Sequence, residues 1–392
     1  MIASVVAAFV LLGGDGDDEA SPTGPEADAG PTPGSIVKLD PATGEIELVS
    51  RDVPQSTTPQ FRNEDLETGE GSVWLLRGTN LLKIDPEDGS FISVGEEASR
   101  IGNRGLDTGL GSVWLGQDDL YEIDAATGRV DQQIPIPRVN TTDVAVGFDR
   151  IWVTGIGAIG ALIRFEPATG ASDLFEIVEA PEHLATGIDA VWVIDEFEGV
   201  VVRVDPATGE VTDRIEITGG LDQIVVGERY VWVLDSAVGT LTPIEEQGGE
   251  TRPPLDVGSD AEDVAIGFGS IWVASGGEIL EIDPATLQIV NTFPVGTVRI
   301  LEIAADSPNG SLALDGSARP VDPEPSGPDI LARGGVRAPG GSPGLQNRCG
   351  GESSQAGSIP VRLRYEIRPL TSVFVTRRAA SRSGRNRGRE PG

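Results

Sequence analysis

The chain has 392 residues, with 29 Lys and Arg against 62 Asp and Glu, a net charge of −33. Residues 1–319 carry 17 basic and 56 acidic side chains, and residues 320–392 carry 12 and 6. A body this negative repels phosphate backbones, which disfavours nucleic-acid binding, and the single cysteine, Cys349, excludes an intrachain disulfide and a cysteine-based structural zinc site.

An apolar run, Ile2 to Leu12, comes first. Its eleven residues are too few to span a bilayer unaided, and no basic stretch precedes them. Residues 1–12 are therefore expected to be the remnant of a membrane anchor, a signal segment or a loose terminus. Residues 13–35 are Gly, Asp, Glu, Pro, Ser, Thr and Ala with almost nothing apolar, the composition of a solvated linker. An apolar segment, a stalk and a folded body describe a domain tethered to a membrane on its outer side.

From residue 36 a repeat takes over. Trp74, Trp114, Trp152, Trp192, Trp232 and Trp272 are all the tryptophans present, spaced 40, 38, 40, 40 and 40 residues apart. Each lies in an apolar triplet such as Val231-Trp232-Val233, which reads as a buried strand. A second phrase keeps the same beat. Asp205-Pro206-Ala207-Thr208-Gly209 has counterparts at Asp40, Asp85, Asp124, Glu166, Glu245 and Asp283. Pro presets a turn, Asp caps nearby N–H groups and Gly takes a positive φ, so the phrase is a hairpin corner.

A period near 40 residues with several strands per unit signals a β-propeller. Residues 222–257 make one unit, with strand a at Gln223 to Val226, b at Tyr230 to Leu234, c near Thr240 to Ile244 and d running to about Val257. Seven corners but six tryptophans leave one unit incomplete, and a 40-residue step beyond Trp272 reaches Leu312 in Ser311-Leu312-Ala313-Leu314. The fold expected is all-β: a seven-bladed β-propeller of four-stranded antiparallel blades over residues 36–315. Its last blade is shared between strands c and d at Ile36 to Val49 and strands a and b at Ile300 to Leu314. Such sharing closes the ring and removes exposed sheet edges. The tryptophans are expected to fill the gaps between blades.

Residues 316–392 lack the repeat and are rich in Arg, Gly, Ser and Pro, ending in Arg385-Asn386-Arg387-Gly388-Arg389. They are expected to be a disordered basic tail or a spurious extension.

Function is expected on the loop face opposite the repetitive corners. Nine residues before each Trp stand Asp65, Gly105, Asp143, His183, Gln223 and Asp263, at the entrance to strand a. Three residues after each Trp stand Arg77, Gln117, Gly155, Asp195, Asp235 and Ser275, with Asp315 in the shared blade. Both rings carry carboxylates, which suit a hard cation such as Ca²⁺ or Mg²⁺, although no dense ligand motif is present; no other cofactor is expected. His183 is the only histidine, and with Glu182 and Glu262 it is the candidate for acid–base chemistry. No phosphate loop, dinucleotide fingerprint or metalloprotease motif occurs.

The Gly-x-x-Val-Trp-Val strands combined with Asp-Pro-Ala-Thr-Gly-Glu turns resemble the YncE and YVTN type propellers and the virginiamycin B lyase-like group. The likeness covers residues 36–315. For true streptogramin lyases it implies Mg²⁺-dependent ring opening of a cyclic depsipeptide by His and Glu on the loop face, roles that here fall to His183 with Glu182 or Glu262. Similar domains also resemble extracellular portions of actinobacterial membrane proteins. The leading expectation is a monomeric, non-catalytic propeller of the cell envelope that binds a small-molecule or protein ligand at its loop face. The alternatives are a virginiamycin B lyase-like carbon–oxygen lyase and a cation-binding sensor.

Overall fold

The computed structural model describes residues 8–12, 34–50, 53–54, 64–78, 80–94, 105–136, 138–296 and 300–305. These form an all-β propeller of four-stranded antiparallel sheets, without a helix among the described residues. Six sheets each use four consecutive strands: sheet I (64–94), II (106–135), III (139–176), IV (181–216), V (223–256) and VI (261–294). One further sheet takes strands from both ends of the chain. Strand a of each sheet lies beside strand a of the next, and strand a of the composite sheet, Ile300–Ala305, lies beside those of sheets VI and I.

The composite sheet corrects two expectations. Its order is Ile300–Ala305, Ala8–Leu12, Ile36–Leu39, Ile46–Ser50. The position of strand b belongs to the apolar segment read as a membrane anchor or signal, and Ser311 to Leu314, assigned to that place, lies outside the described residues. Register explains the fit. In sheet I, Trp74 stands between Glu67 on strand a and Lys83 on strand c. Phe9 stands likewise between Ala304 and Lys38. An aromatic residue thus occupies the tryptophan position of the composite sheet, contributed by the opposite end of the chain. The rest of the linker, residues 13–33, and the basic tail lie outside the described residues.

The tryptophans join sheets. All six are fully buried, and each core cluster mixes two neighbours: Trp232 of sheet V packs with Ile271, Val273 and Ile282 of sheet VI. Trp152 of sheet III packs with Val191, Val193 and Val202 of sheet IV. Because each sheet is covered on both faces, the b strands read as unbroken apolar runs rather than alternating ones. The indole N–H of Trp74, Trp114, Trp152 and Trp272 donates to the carbonyl of the glycine five residues earlier, at 3.0–3.2 Å. A buried donor is thereby satisfied.

The Asp-Pro-Ala-Thr-Gly phrases are hairpin corners. Asp205 Oδ1 accepts from the N–H groups of Ala207 and Thr208, both at 2.8 Å, and the Gly209 N–H donates back to the Asp205 carbonyl at 2.8 Å. Gly209 has φ +73°, and a Cβ there would lie 2.1 Å from the Phe175 ring of the preceding sheet, so both conformation and space demand glycine. Cations on c strands pin the corner of the next sheet. Lys83 Nζ donates to the Ala125 and Ala126 carbonyls at 2.6 and 3.0 Å, and Arg164 Nη1 to the Pro206 and Ala207 carbonyls at 2.8 and 2.7 Å.

Candidate functional site

The first turns of the a strands surround a central cavity of about 600 Å³. Pairing across to strand b aligns its wall. Asp65, Gly105, Asp143, His183, Gln223 and Asp263 each stand two residues before the partner of a Trp. In the composite sheet that position is Glu302, two residues before the Phe9 partner Ala304. All of these residues line the cavity. The partners of Trp74 and Trp114, Glu67 and Asp107, line it one step further along the strands.

Among the described residues eight carboxylates line this space, from Glu64, Asp65, Glu67, Asp107, Asp143, Glu182, Asp263 and Glu302, together with the His183 imidazole and no Lys or Arg. Four of the aspartates have a structural duty. Asp107 Oδ1 accepts from the N–H of its successor Thr108, and its Oδ2 accepts from Val146 N–H on the neighbouring a strand, both at 2.6 Å. Asp143 repeats this with Val144 at 2.8 Å and Leu184 at 3.0 Å. Asp263 does so with Val264 at 2.8 Å and Ile303 at 2.9 Å, and Asp65 bonds the backbone of Leu106. An a strand is a sheet edge whose inward N–H groups would otherwise be buried without partners. Each aspartate therefore clamps its sheet to the next one around the channel.

Crowding of carboxylates changes their protonation. Burial, then the negative charges of Asp143, Asp263 and Asp107, holds Asp65 well above the ordinary carboxylate range. Glu67 is raised by burial and then by Asp107 and Asp65. Burial pushes Asp107 to about 7 against the opposing hydrogen bonds from Val146 and Thr108. Asp263 and Glu302 are raised chiefly by burial as well. Removing a carboxylate from water disfavours its charged form, and each ionised neighbour adds to the penalty. An incoming cation would reverse both effects and expel protons.

His183 faces Asp143, with Nδ1 3.6 Å from Oδ2. Burial depresses its pKa, but Asp143, then Glu182 and Asp222, outweigh that and leave it raised. Glu182 lines the cavity beside it and shares a hydrogen bond with Glu196, whose pKa is raised by burial, then by Glu182 and Asp222. Glu262, the other acid–base candidate, does not line the cavity.

The second set of sequence candidates is placed apart. Arg77, Gln117, Asp195 and Asp235 are buried and none lines the cavity. Arg77 Nε pairs with Glu64 at 2.8 Å. Asp195 accepts from the N–H groups of Ala180 and Glu198, both at 2.9 Å, and Asp235 accepts from Val238 N–H at 3.2 Å. Asp195 and Asp235 thus hold b–c turns, whereas Arg77 bonds back to strand a; Asp315 lies outside the described residues. Among the described residues no group of three or more His, Cys, Asp or Glu is disposed to hold a metal ion.

Sequence reasoning overlooked Glu67, Asp107 and Glu302. The first two carried a readable signal, seven residues before Trp74 and Trp114. Glu302 had none, because its register depends on Phe9 from the other end of the chain.

No protein-family profile matches the chain, and no curated protein matches its sequence. Among solved structures it is similar to apo AztD from Citrobacter koseri, at 14% identity and a TM-score of 0.54, over 77% of this chain and 98% of that one. BamB from Moraxella catarrhalis overlaps 62% of this chain and 73% of that one, at 18% identity and a TM-score of 0.45. The likeness to AztD supports the β-propeller fold and, at that identity, the fold alone.

Proposed function

We propose that this protein is a non-catalytic binding propeller of the cell envelope. It is read as seven blades, the composite sheet being the seventh, with the loop end of the channel taking up a cationic group of a small-molecule or protein ligand. One observation carries the reading: a cavity of about 600 Å³ whose described wall holds eight carboxylates and one imidazole and no Lys or Arg, with Glu64 alone of the eight paired to a guanidinium, Arg77, behind the wall. Carboxylates held in a low-dielectric cleft focus a negative potential that attracts cations and repels anions. The donor geometry favours an ammonium or guanidinium group over a hard metal ion, since Ca²⁺ wants six to eight converging oxygens.

Glu67 and Glu302 are not among the clamping aspartates, which makes them the donors to test. Calorimetry with spermidine and with agmatine should show binding accompanied by proton release, stronger at pH 8 than at pH 6. Glu302→Gln and Glu67→Gln should each weaken it about fivefold or more, on the order of 1 kcal/mol. Absence of heat with spermidine, agmatine, Ca²⁺ and Mg²⁺ alike would refute the reading. A lyase of the virginiamycin B type is the second reading, favoured by His183 and Glu182 sharing the cavity. Linearised streptogramin B after incubation with Mg²⁺ would establish it in place of the first.

A further inference from the structure

Two b–c turns on neighbouring sheets share one design. Asp195-Glu196-Phe197-Glu198-Gly199 and Asp235-Ser236-Ala237-Val238-Gly239 are each closed by a glycine N–H donating to the carbonyl of the aspartate, at 2.9 Å in both. The buried aspartate side chain accepts a further turn N–H, from Glu198 at 2.9 Å or Val238 at 3.2 Å. Such a turn is held from beneath. Yet it raises a large apolar side chain into solvent: Phe197 is 84% and Val238 61% exposed. The equivalent turn of sheet III exposes Ile159, at 36%. Nothing in the fold requires apolar side chains at these tips, since the turns are built by Asp and Gly.

Each tip is bonded to the entrance of its own a strand, at the channel mouth. Asp195 Oδ2 accepts from Ala180 N–H at 2.9 Å, directly before the Pro181–Thr186 strand that carries Glu182 and His183 into the cavity. Ser236 donates through both its N–H and its hydroxyl to Asp222 Oδ2, at 2.7 Å each, directly before the cavity residue Gln223. Glu196, on the first of these turns, shares a hydrogen bond with Glu182 and feels the charges of Glu182 and Asp222. Glu198 of the same turn is engaged by Arg214 from the outer strand Val211–Glu216, and among the described residues no guanidinium pairs with Glu196.

We infer that the b–c turns of sheets III to V form a docking surface for a basic segment of another protein. An aromatic or aliphatic side chain of the partner would pack on Phe197 and Val238, and an adjacent Arg or Lys would reach Glu182, Glu196 and Asp222. The inference rests on the binding reading above and specifies its partner. A free metal ion or polyamine gains nothing from exposed Phe and Val, whereas an extended peptide uses apolar anchors and charge together. The Phe197 ring also offers a face on which a guanidinium can lie while its edge meets a carboxylate. An anionic membrane surface is opposed by the acid cluster.

The test pans a random dodecapeptide phage library against the full chain. Enriched peptides should carry Arg or Lys within three positions of an aromatic or large aliphatic residue. A synthetic version of the most enriched peptide should bind the Phe197→Ser, Val238→Ser double variant about tenfold or more weakly, and Phe197→Ser alone measurably so. Spermidine titration of the channel should be unchanged in these variants, because neither side chain lines the cavity. Enrichment of peptides without a basic residue, or equal affinity for wild type and variants, overturns the inference. Failure to enrich any peptide while spermidine still binds overturns it and leaves the channel reading intact; loss of both removes both.

Discussion

The clamp at Asp107 makes a quantitative claim about pH. Its pKa in the folded protein is about 7, against roughly 3.9 in an unfolded chain. A group whose folded value is raised binds more protons folded than unfolded between those limits. Its stabilising contribution is therefore complete below about pH 4 and is lost as pH rises through about 7. The gap of about 3 units corresponds to an upper bound of about 4 kcal/mol, at 1.36 kcal/mol per unit. Asp65, Glu67, Asp263 and Glu302 shift in the same direction. With a urea m-value of about 3 kcal/mol/M, the Asp107 contribution alone shifts the midpoint by about 1 M. Urea unfolding followed by tryptophan fluorescence should thus show a higher midpoint at pH 5 than at pH 8. Surface repulsion from a net charge of −33 acts in the same sense, but salt screens it while leaving buried groups largely unscreened. Measured in 0.3 M NaCl, Asp107→Asn should flatten the slope between pH 5 and pH 8. Wild-type and variant curves with the same pH slope would refute the assignment of this burden to the channel.

Three further outcomes follow from packing and register. Trp232→Ala should lower stability by about 3–5 kcal/mol in the same urea assay, since a fully buried indole joins sheets V and VI. Removal of residues 1–12 should lower the melting temperature of the protein, because Ala8–Leu12 pairs on both sides within the composite sheet; a tether would leave the melt unchanged. Lys83→Met removes two hydrogen bonds to the Ala125 and Ala126 carbonyls of the next sheet. It should cost about 1–3 kcal/mol by thermal or urea melts.

The repeat was legible because its physics is local. A Trp within a β-branched triplet and an Asp-Pro-Ala-Thr-Gly corner each report what a handful of adjacent residues do, and their 40-residue beat reports the sheet. The cavity wall was half legible for the same reason: Asp65, Asp143, His183, Gln223 and Asp263 share one offset from Trp, and the pairing places them on one level. What the offset could not reveal is that the aspartates there bond the neighbouring sheet. The second offset carries less, since Asp195 and Asp235 look the same in sequence whether they face a ligand or hold a turn, and in the fold both bond turn N–H groups.

The sequence by itself determined the all-β class, the period, the corners and the acidity of the channel entrance, because each depends on residues close together in the chain. Tertiary structure decided that Phe9 stands at the tryptophan position of the composite sheet. An apolar pentapeptide carries no mark of its partners: the same letters suit a membrane or a sheet, and only the unpaired edges of Ile300–Ala305 and Ile36–Leu39 select it.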